Sequence, residues 1–191
     1  MSTRKNSCNP KNTLKKVINH ISKTDKEKLE LARCFLYPIL RFINIGFKLV
    51  AKKQTPYKYA VARMVKEAIS SNGHPHEYLL DFSRIILSEG VLTPPQVESV
   101  SFTDNACDII LADNSNEGNA KPTDVSLVLF YNVVKNEFTC FLKGNPRNDA
   151  TCLYQLPKHW LGDRIHLYLS MRSLDGKLVS DSEYLGDYII Q

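Results

Sequence analysis

Eight glycines, nine prolines and five cysteines in 191 residues are too few for a collagen-like, low-complexity or disulfide-framework chain. No stretch of eighteen residues is free of charge, so no membrane-spanning helix is expected. The first 28 residues are rich in lysine and lack a seven-residue apolar run, which argues against a secretory signal and for a cytoplasmic chain. The cysteines (Cys8, Cys34, Cys107, Cys140 and Cys152) are odd in number and irregularly spaced, with no C-x-x-C pair. Free thiols are therefore expected rather than a zinc site. There is no nucleophile elbow, phosphate loop or dinucleotide fingerprint, so no catalytic residue, cofactor or cofactor-binding residue is assigned. What remains is an ordinary apolar fraction of 43%, enough for the core of one or two small domains.

Charge of one sign is scarce in each half. Residues 1–72 carry sixteen Lys/Arg against four Asp/Glu, and residues 73–191 carry nine against sixteen. The formal net charge of +5 thus conceals a basic front and an acidic back. Lys15, Lys16, Lys48, Lys52, Lys53 and Lys58 are the candidates for contact with nucleic acid or another anionic surface. The competing reading is that these lysines keep a helical segment soluble, or that the basic half leans on its own acidic half. The lack of an arginine-rich or lysine/aromatic interleaved block favours this competing reading, in either form, over a nucleic-acid surface.

Along the chain, residues 1–23 read as a basic, flexible segment, with only Leu14, Val17, Ile18 and Ile21 at helical spacing. Residues 24–73 read as a helical region. Thr24 and Glu27 have capping-box spacing, and an apolar stripe runs from Leu29 through Leu36, Ile43 and Phe47 to Val50. Pro38 either bends that helix or divides it. Thr55-Pro56 opens a second helix, which Asn72-Gly73 and His74-Pro75 should close, giving a helical hairpin.

From Tyr78 the apolar period changes to two. Residues 78–93 read as a connecting β segment, with Leu80, Phe82, Ile85 and Leu87 in strand-like alternation. Seven candidate strands follow within 95–191: 97–103, 106–112, 125–134, 137–142, 151–156, 164–172 and 178–185. Short strands at this spacing predict an antiparallel sandwich. In 164–172, Ile165, Leu167, Leu169 and Met171 form an apolar face and Arg164, His166, Ser170 and Arg172 a polar one, with Asp175-Gly176 as a hairpin turn. Trp160 should plug one end of the core.

Four stretches invite chemistry. The loop 113–124 places Asp113, Ser115, Glu117 and Asp124 at positions 1, 3, 5 and 12 of a calcium-loop spacing, with Gly118 at the turn. Strand flanks, Pro122 and Lys121 favour instead a polar loop whose side chains cap their own backbone. His74 and His76, with Glu77 and Asp81 nearby, read as a helix-stop loop before a metal pair. His166 and His159 read as structural or solvated, and Ser180 and Ser182 as edge or surface hydroxyls.

Two resemblances add to this reading. Residues 153–185, with Leu156-Pro157, Tyr168, Asp175-Gly176, Ser180 and Ser182, resemble the closing part of a fibronectin type III module. Over about residues 30–186 the chain is similar to an uncharacterised, Bacteroides-type bacterial family, a domain of unknown function. Ile43-Asn44-Ile45-Gly46-Phe47, Thr55-Pro56-Tyr57, Asp81-Phe82-Ser83, Ser88-Glu89-Gly90 and Asp113-Asn114-Ser115 carry that resemblance. So do Gly118-Asn119-Ala120-Lys121, Thr123-Asp124, Phe130-Tyr131-Asn132, Leu156-Pro157, Trp160, Gly162-Asp163 and the run Ser180 to Gly186. The glycine-rich opening of that family, with its Ser-Gly-Lys-like motif, is absent, and residues 1–23 read as an unrelated basic segment. The resemblance implies a fold and no activity. The fold expected is α+β: an N-terminal helical hairpin followed by an antiparallel immunoglobulin/fibronectin III-like β-sandwich. The function expected is a non-enzymatic interaction module whose partner is a protein, a second copy included. The alternative is nucleic-acid association through the basic half.

Overall fold

A computed structural model describes residues 21–22, 25–71 and 77–191 of the chain. Thr24, Asn72-Gly73, His74, His76, Lys15, Lys16 and Cys8 lie outside the described residues.

Three helices come first: α1 (Asp25–Leu36), α2 (Leu40–Gly46) and α3 (Pro56–Glu67). Pro38 divides the first apolar stripe rather than bending it. Proline has no N–H to extend the ladder, and Ile39 and Leu40 close tight turns onto Leu36 and Tyr37 instead. At α3 the Thr55 hydroxyl accepts from Lys58 N at 3.3 Å, with Pro56 in the first turn, as the sequence predicts. The far end differs from expectation. α3 stops at Glu67, and Ile69–Ser71 form a strand, β2, rather than a further helical turn. β1 (Ile21–Ser22), β2 and β3 (Glu77–Leu80) make a small antiparallel sheet in the order β1-β3-β2, with Ile69 opposite Leu80. The predicted alternation over 80–87 ends at Leu80. A 3-10 turn over Phe82–Arg84 follows, and the chain then runs without a ladder partner to β4.

The seven strands of the C-terminal part are β4 (Gln96–Thr103), β5 (Ala106–Ala112), β6 (Val125–Asn132), β7 (Glu137–Phe141), β8 (Thr151–Gln155), β9 (Arg164–Arg172) and β10 (Glu183–Ile189). They pair antiparallel as two sheets, β4-β5-β8 and β10-β9-β6-β7. Six of the seven match the predicted runs closely. The last is displaced from 178–185 to 183–189. Gly176 (φ 70°) makes the turn, Arg172 and Val179 form only an isolated bridge, and residues 180–182 are diverted into bonds with residues 87–90.

The four-stranded sheet is the middle layer. On one face Val128 and Phe130 of β6 and Ile165, Leu167 and Leu169 of β9 pack with Cys107, Ile109, Cys152 and Tyr154 of the other sheet, and Trp160 closes this cluster. On the opposite face Leu127, Leu129 and Tyr131 of β6 and Tyr168 of β9 pack under Phe35, Leu36, Phe42, Phe47, Val61 and Met64 of the helices. Every residue of β6 is buried as a result. The polar face expected for β9 reaches water only at its ends: Arg164 is exposed and Arg172 half-buried, while His166 and Ser170 are buried beneath the helical layer. Cys34, Cys107 and Cys152 are buried and Cys140 is half-buried, and none of these four is part of a disulfide. Burial pushes the thiols of Cys107 and Cys140 up to about 12, which keeps them unreactive.

Candidate functional site

The loop 113–124 follows β5 and is organised by its own backbone and by an arginine. The Asp113 carboxylate accepts from Ser115 N at 3.0 Å; the Ser115 hydroxyl first, and this backbone bond second, hold its pKa below the usual carboxylate range. Asp124 accepts from Lys121 N at 2.8 Å and lies 3.4 Å from Arg147 Nε, with both side chains 1% exposed. Asn119 bonds back to Thr93 and Val91. Glu117 and Gly118 are exposed, and the Glu117 carbonyl accepts from the Thr93 hydroxyl. Asp113 and Asp124 thus already have partners, and Asp124 faces a guanidinium. Among the described residues no three His, Cys, Asp or Glu side chains gather as a metal set.

Some of the residues that carry the family resemblance, Gly46, Ser88-Glu89-Gly90 and Ser180 to Ser182, meet at a seam between the helices and the sheet. Ser88 Oγ donates to Ser180 O at 2.9 Å, and Ser180 Oγ accepts from Met171 N at 2.8 Å. Ser182 Oγ accepts from Leu87 N, the Asp181 carboxylate accepts from Gly90 N, and Glu89 N donates to Gly46 O. Ser180 is fully buried, so the expectation of surface hydroxyls fails there. Both hydroxyls serve as acceptors for backbone N–H groups that no ladder reaches. These motifs are staples of the fold.

His166 lies over that seam. Its ring stacks on Phe82 with centroids 4.0 Å apart, and Nδ1 is 2.7 Å from the Tyr184 hydroxyl. Burial pushes its pKa down to about 4; Asp187 opposes that shift and Arg164 adds to it. An unfolded histidine titrates near about 6.5. Between these values the unfolded chain binds a proton that the folded chain refuses, so stability falls as pH falls through this window. The loss approaches about 2 kcal/mol at its lower end, allowing for solvent screening. Thermal melts at about pH 7 and about pH 5 should show a larger drop for the natural chain than for His166→Phe; equal drops would contradict it. His159 is exposed, and its Nε2 lies 2.7 Å from Glu137 Oε2, which also accepts from Trp160 Nε1. Asp81 caps its own turn through Ser83 N, Glu77 opens β3, and His74 and His76 lie outside the described residues.

The helical layer carries the remaining charge. Residues 25–71 hold ten Lys/Arg against four Asp/Glu. Arg63 and Lys66 pair with Glu67, and Arg63 also with Glu89. Arg33, Arg41, Lys48, Lys52, Lys53 and Lys58 are exposed, and among the described residues none has an acidic side chain at ion-pair distance. Lys52 and Lys53, with Val50, Ala51, Gln54 and Tyr59, line an open hollow of about 380 Å³ at the turn between α2 and α3. Sequence reasoning found the four lysines. It missed Arg33, Arg41 and two tyrosines: Tyr37 and Tyr57 stand edge to face with centroids 6.4 Å apart, beside Arg33. The nineteen residues between them hid the pair, since only the packing of α1 on α3 brings them together.

No curated protein matches the chain. Residues 9–186 match a family of unknown function, DUF6266. The match extends the resemblance over 30–186 upstream into the basic segment, which is therefore not foreign to the family beyond residue 8. The seam and its staples are thus the scaffold of a chain that belongs to the family of unknown function DUF6266.

Proposed function

We propose that this chain is a non-catalytic binding module, in which a β scaffold presents a basic helical face to an anionic partner. The observation that carries this reading is the set of six exposed cations on the helical layer that have no carboxylate partner among the described residues, while the acidic residues belong chiefly to the strands and their loops. Placing like charges on one face raises the self-energy of the fold, and an anionic partner offsets it. The grouping of the seven strands supports an immunoglobulin/fibronectin III-like reading: first, second and fifth in one sheet, third, fourth, sixth and seventh in the other. Such sandwiches serve as scaffolds for many contacts, so the fold alone names no partner. No helix among the described residues is long and apolar enough to cross a membrane. The buried cysteines outside any disulfide suit a reducing compartment, and we place the chain in the cytoplasm.

The test is retention on immobilised heparin. The natural chain should bind at low salt, and the variant Lys48→Gln/Lys52→Gln/Lys53→Gln/Lys58→Gln should elute at about half the salt concentration, since each lost contact releases fewer counterions. Failure of the natural chain to bind, or elution unchanged in the variant, overturns the reading.

A further inference from the structure

We infer that the anionic partner is single-stranded nucleic acid, and that Tyr37 and Tyr57 form a platform on which an unpaired base stacks, ringed by Arg33, Arg41 and Lys58. The inference rests on the basic face being a binding surface and names its ligand. Its geometry begins at the end of α1. The Arg33 carbonyl accepts from Tyr37 N at 2.9 Å and from the Tyr57 hydroxyl at 3.2 Å, so one backbone oxygen fixes the position of both residues. Tyr57 turns its ring edge to face with Tyr37, and the Tyr37 side chain stands 69% exposed. α1 ends at Leu36, and Pro38, which cannot extend the helix, leaves Tyr37 at the corner between α1 and α2.

An exposed aromatic ring near exposed cations is the arrangement that binds single strands: the cations follow the phosphates and the ring takes a base by its π-face. Duplex nucleic acid keeps its bases stacked inside and offers the phosphates alone. Arg33 lies in the last turn of α1, Arg41 in the first turn of α2, four residues after Tyr37 in sequence, and Lys58 next to Tyr57. Arginine at two of these places allows bidentate phosphate contact. Glu30, one turn before Arg33, is an exposed carboxylate on the same helix and limits the approach of a strand from that side.

Fluorescence anisotropy with a labelled oligothymidine, set against a duplex of equal length, inorganic polyphosphate and vesicles containing phosphatidylserine, tests the idea. The natural chain should prefer the oligothymidine. Tyr37→Ala should weaken that binding by about tenfold, and Tyr37→Phe should retain it. Neither change should alter binding to polyphosphate. Arg41→Gln/Lys58→Gln should weaken both ligands and lower the slope of log affinity against log salt by about 1–2. If Tyr37→Ala leaves oligothymidine binding unchanged, or polyphosphate or the duplex binds as well, the platform is refuted while the basic surface stands. Binding to the vesicles alone refutes nucleic acid as the partner. If no polyanion binds at about 50 mM salt, the platform and the basic-surface reading both fall. Because Tyr37 is exposed, unchanged thermal melts for its variants will separate loss of binding from loss of fold.

Discussion

Replacing Arg147 with methionine is expected to cost about 3–5 kcal/mol of folding stability, a large share of what a domain of this size possesses. The side chain is 1% exposed, and its guanidinium joins four chain segments. One terminal nitrogen donates to Asn114 Oδ1 at 2.6 Å and to Pro94 O at 3.2 Å, and the other to Thr93 O at 2.7 Å. Nε lies 3.4 Å from the Asp124 carboxylate. These groups precede β4, follow β5 and precede β6, so a single cation ties the loops at one end of the two sheets. Methionine fills a similar volume but leaves a buried carboxylate without its counter-charge and removes the donor to Thr93 O and Asn114 Oδ1, while Pro94 O keeps its bond from Asn114 Nδ2 at 3.0 Å. Asp124 retains its bond from Lys121 N, which is too little to stabilise a buried charge. Neutralising it as well should restore part of the loss, so Arg147→Met/Asp124→Asn should be more stable than Arg147→Met alone. Urea denaturation measures both, and a single-variant cost below about 1 kcal/mol would show that the pair is not the tie described.

Much of the architecture can be read from periodicity alone. The run from Val125 to Tyr131 and the strict alternation in 164–172 identify β6 and β9 because a strand repeats every two residues. What they cannot identify is how many layers cover a strand. His166 and Ser170 read as a solvated face, since a polar residue inside is recognisable only from the partner above it, and here that partner is Phe82 with the helical layer. The end of α3 was illegible for a related reason. Ile69 continues the helical spacing, yet pairing with Leu80 in β3 takes it into a strand, a tertiary effect that overrides a weak local preference. The same limit applied to the sites. The loop 113–124 showed its acidic spacing openly, but Arg147, which occupies Asp124, lies far along the chain in a segment no pattern marks. Lys48, Lys52, Lys53 and Lys58 were visible as a local cluster, whereas Tyr37 and Tyr57 acquire meaning only once the helices are packed.

Gly46→Ala is a test in which local and tertiary physics give opposite signs. Gly46 ends α2 with no left-handed backbone to require glycine, so helix propensity alone predicts that alanine stabilises by up to about 1 kcal/mol. The packing predicts the reverse. A methyl group at this position would lie 2.2 Å from Leu87 O and 2.8 Å from Ser88 Cβ, far inside contact distance. The obstacle is backbone, and it cannot retreat cheaply. Leu87 N is held by Ser182 Oγ, Ser88 Oγ by Ser180 O, Ser88 O by Ser182 N, and Glu89 N by Gly46 O itself. Gly90 repeats the situation one step on, with Val179 O 2.2 Å from an added methyl group. Moving α2 away would open the layer beneath Phe42 and Phe47, which pack on the middle sheet. We therefore expect Gly46→Ala to destabilise by about 3 kcal/mol, the cost of overpacking a site that cannot yield. Asn44→Ala, exposed on the same helix, should change stability by no more than about 0.5 kcal/mol and serves as the control. Chemical denaturation of the two variants decides the matter: if Gly46→Ala proves as stable as Asn44→Ala, the close approach of α2 to the 87–90 segment is not a feature of the folded chain.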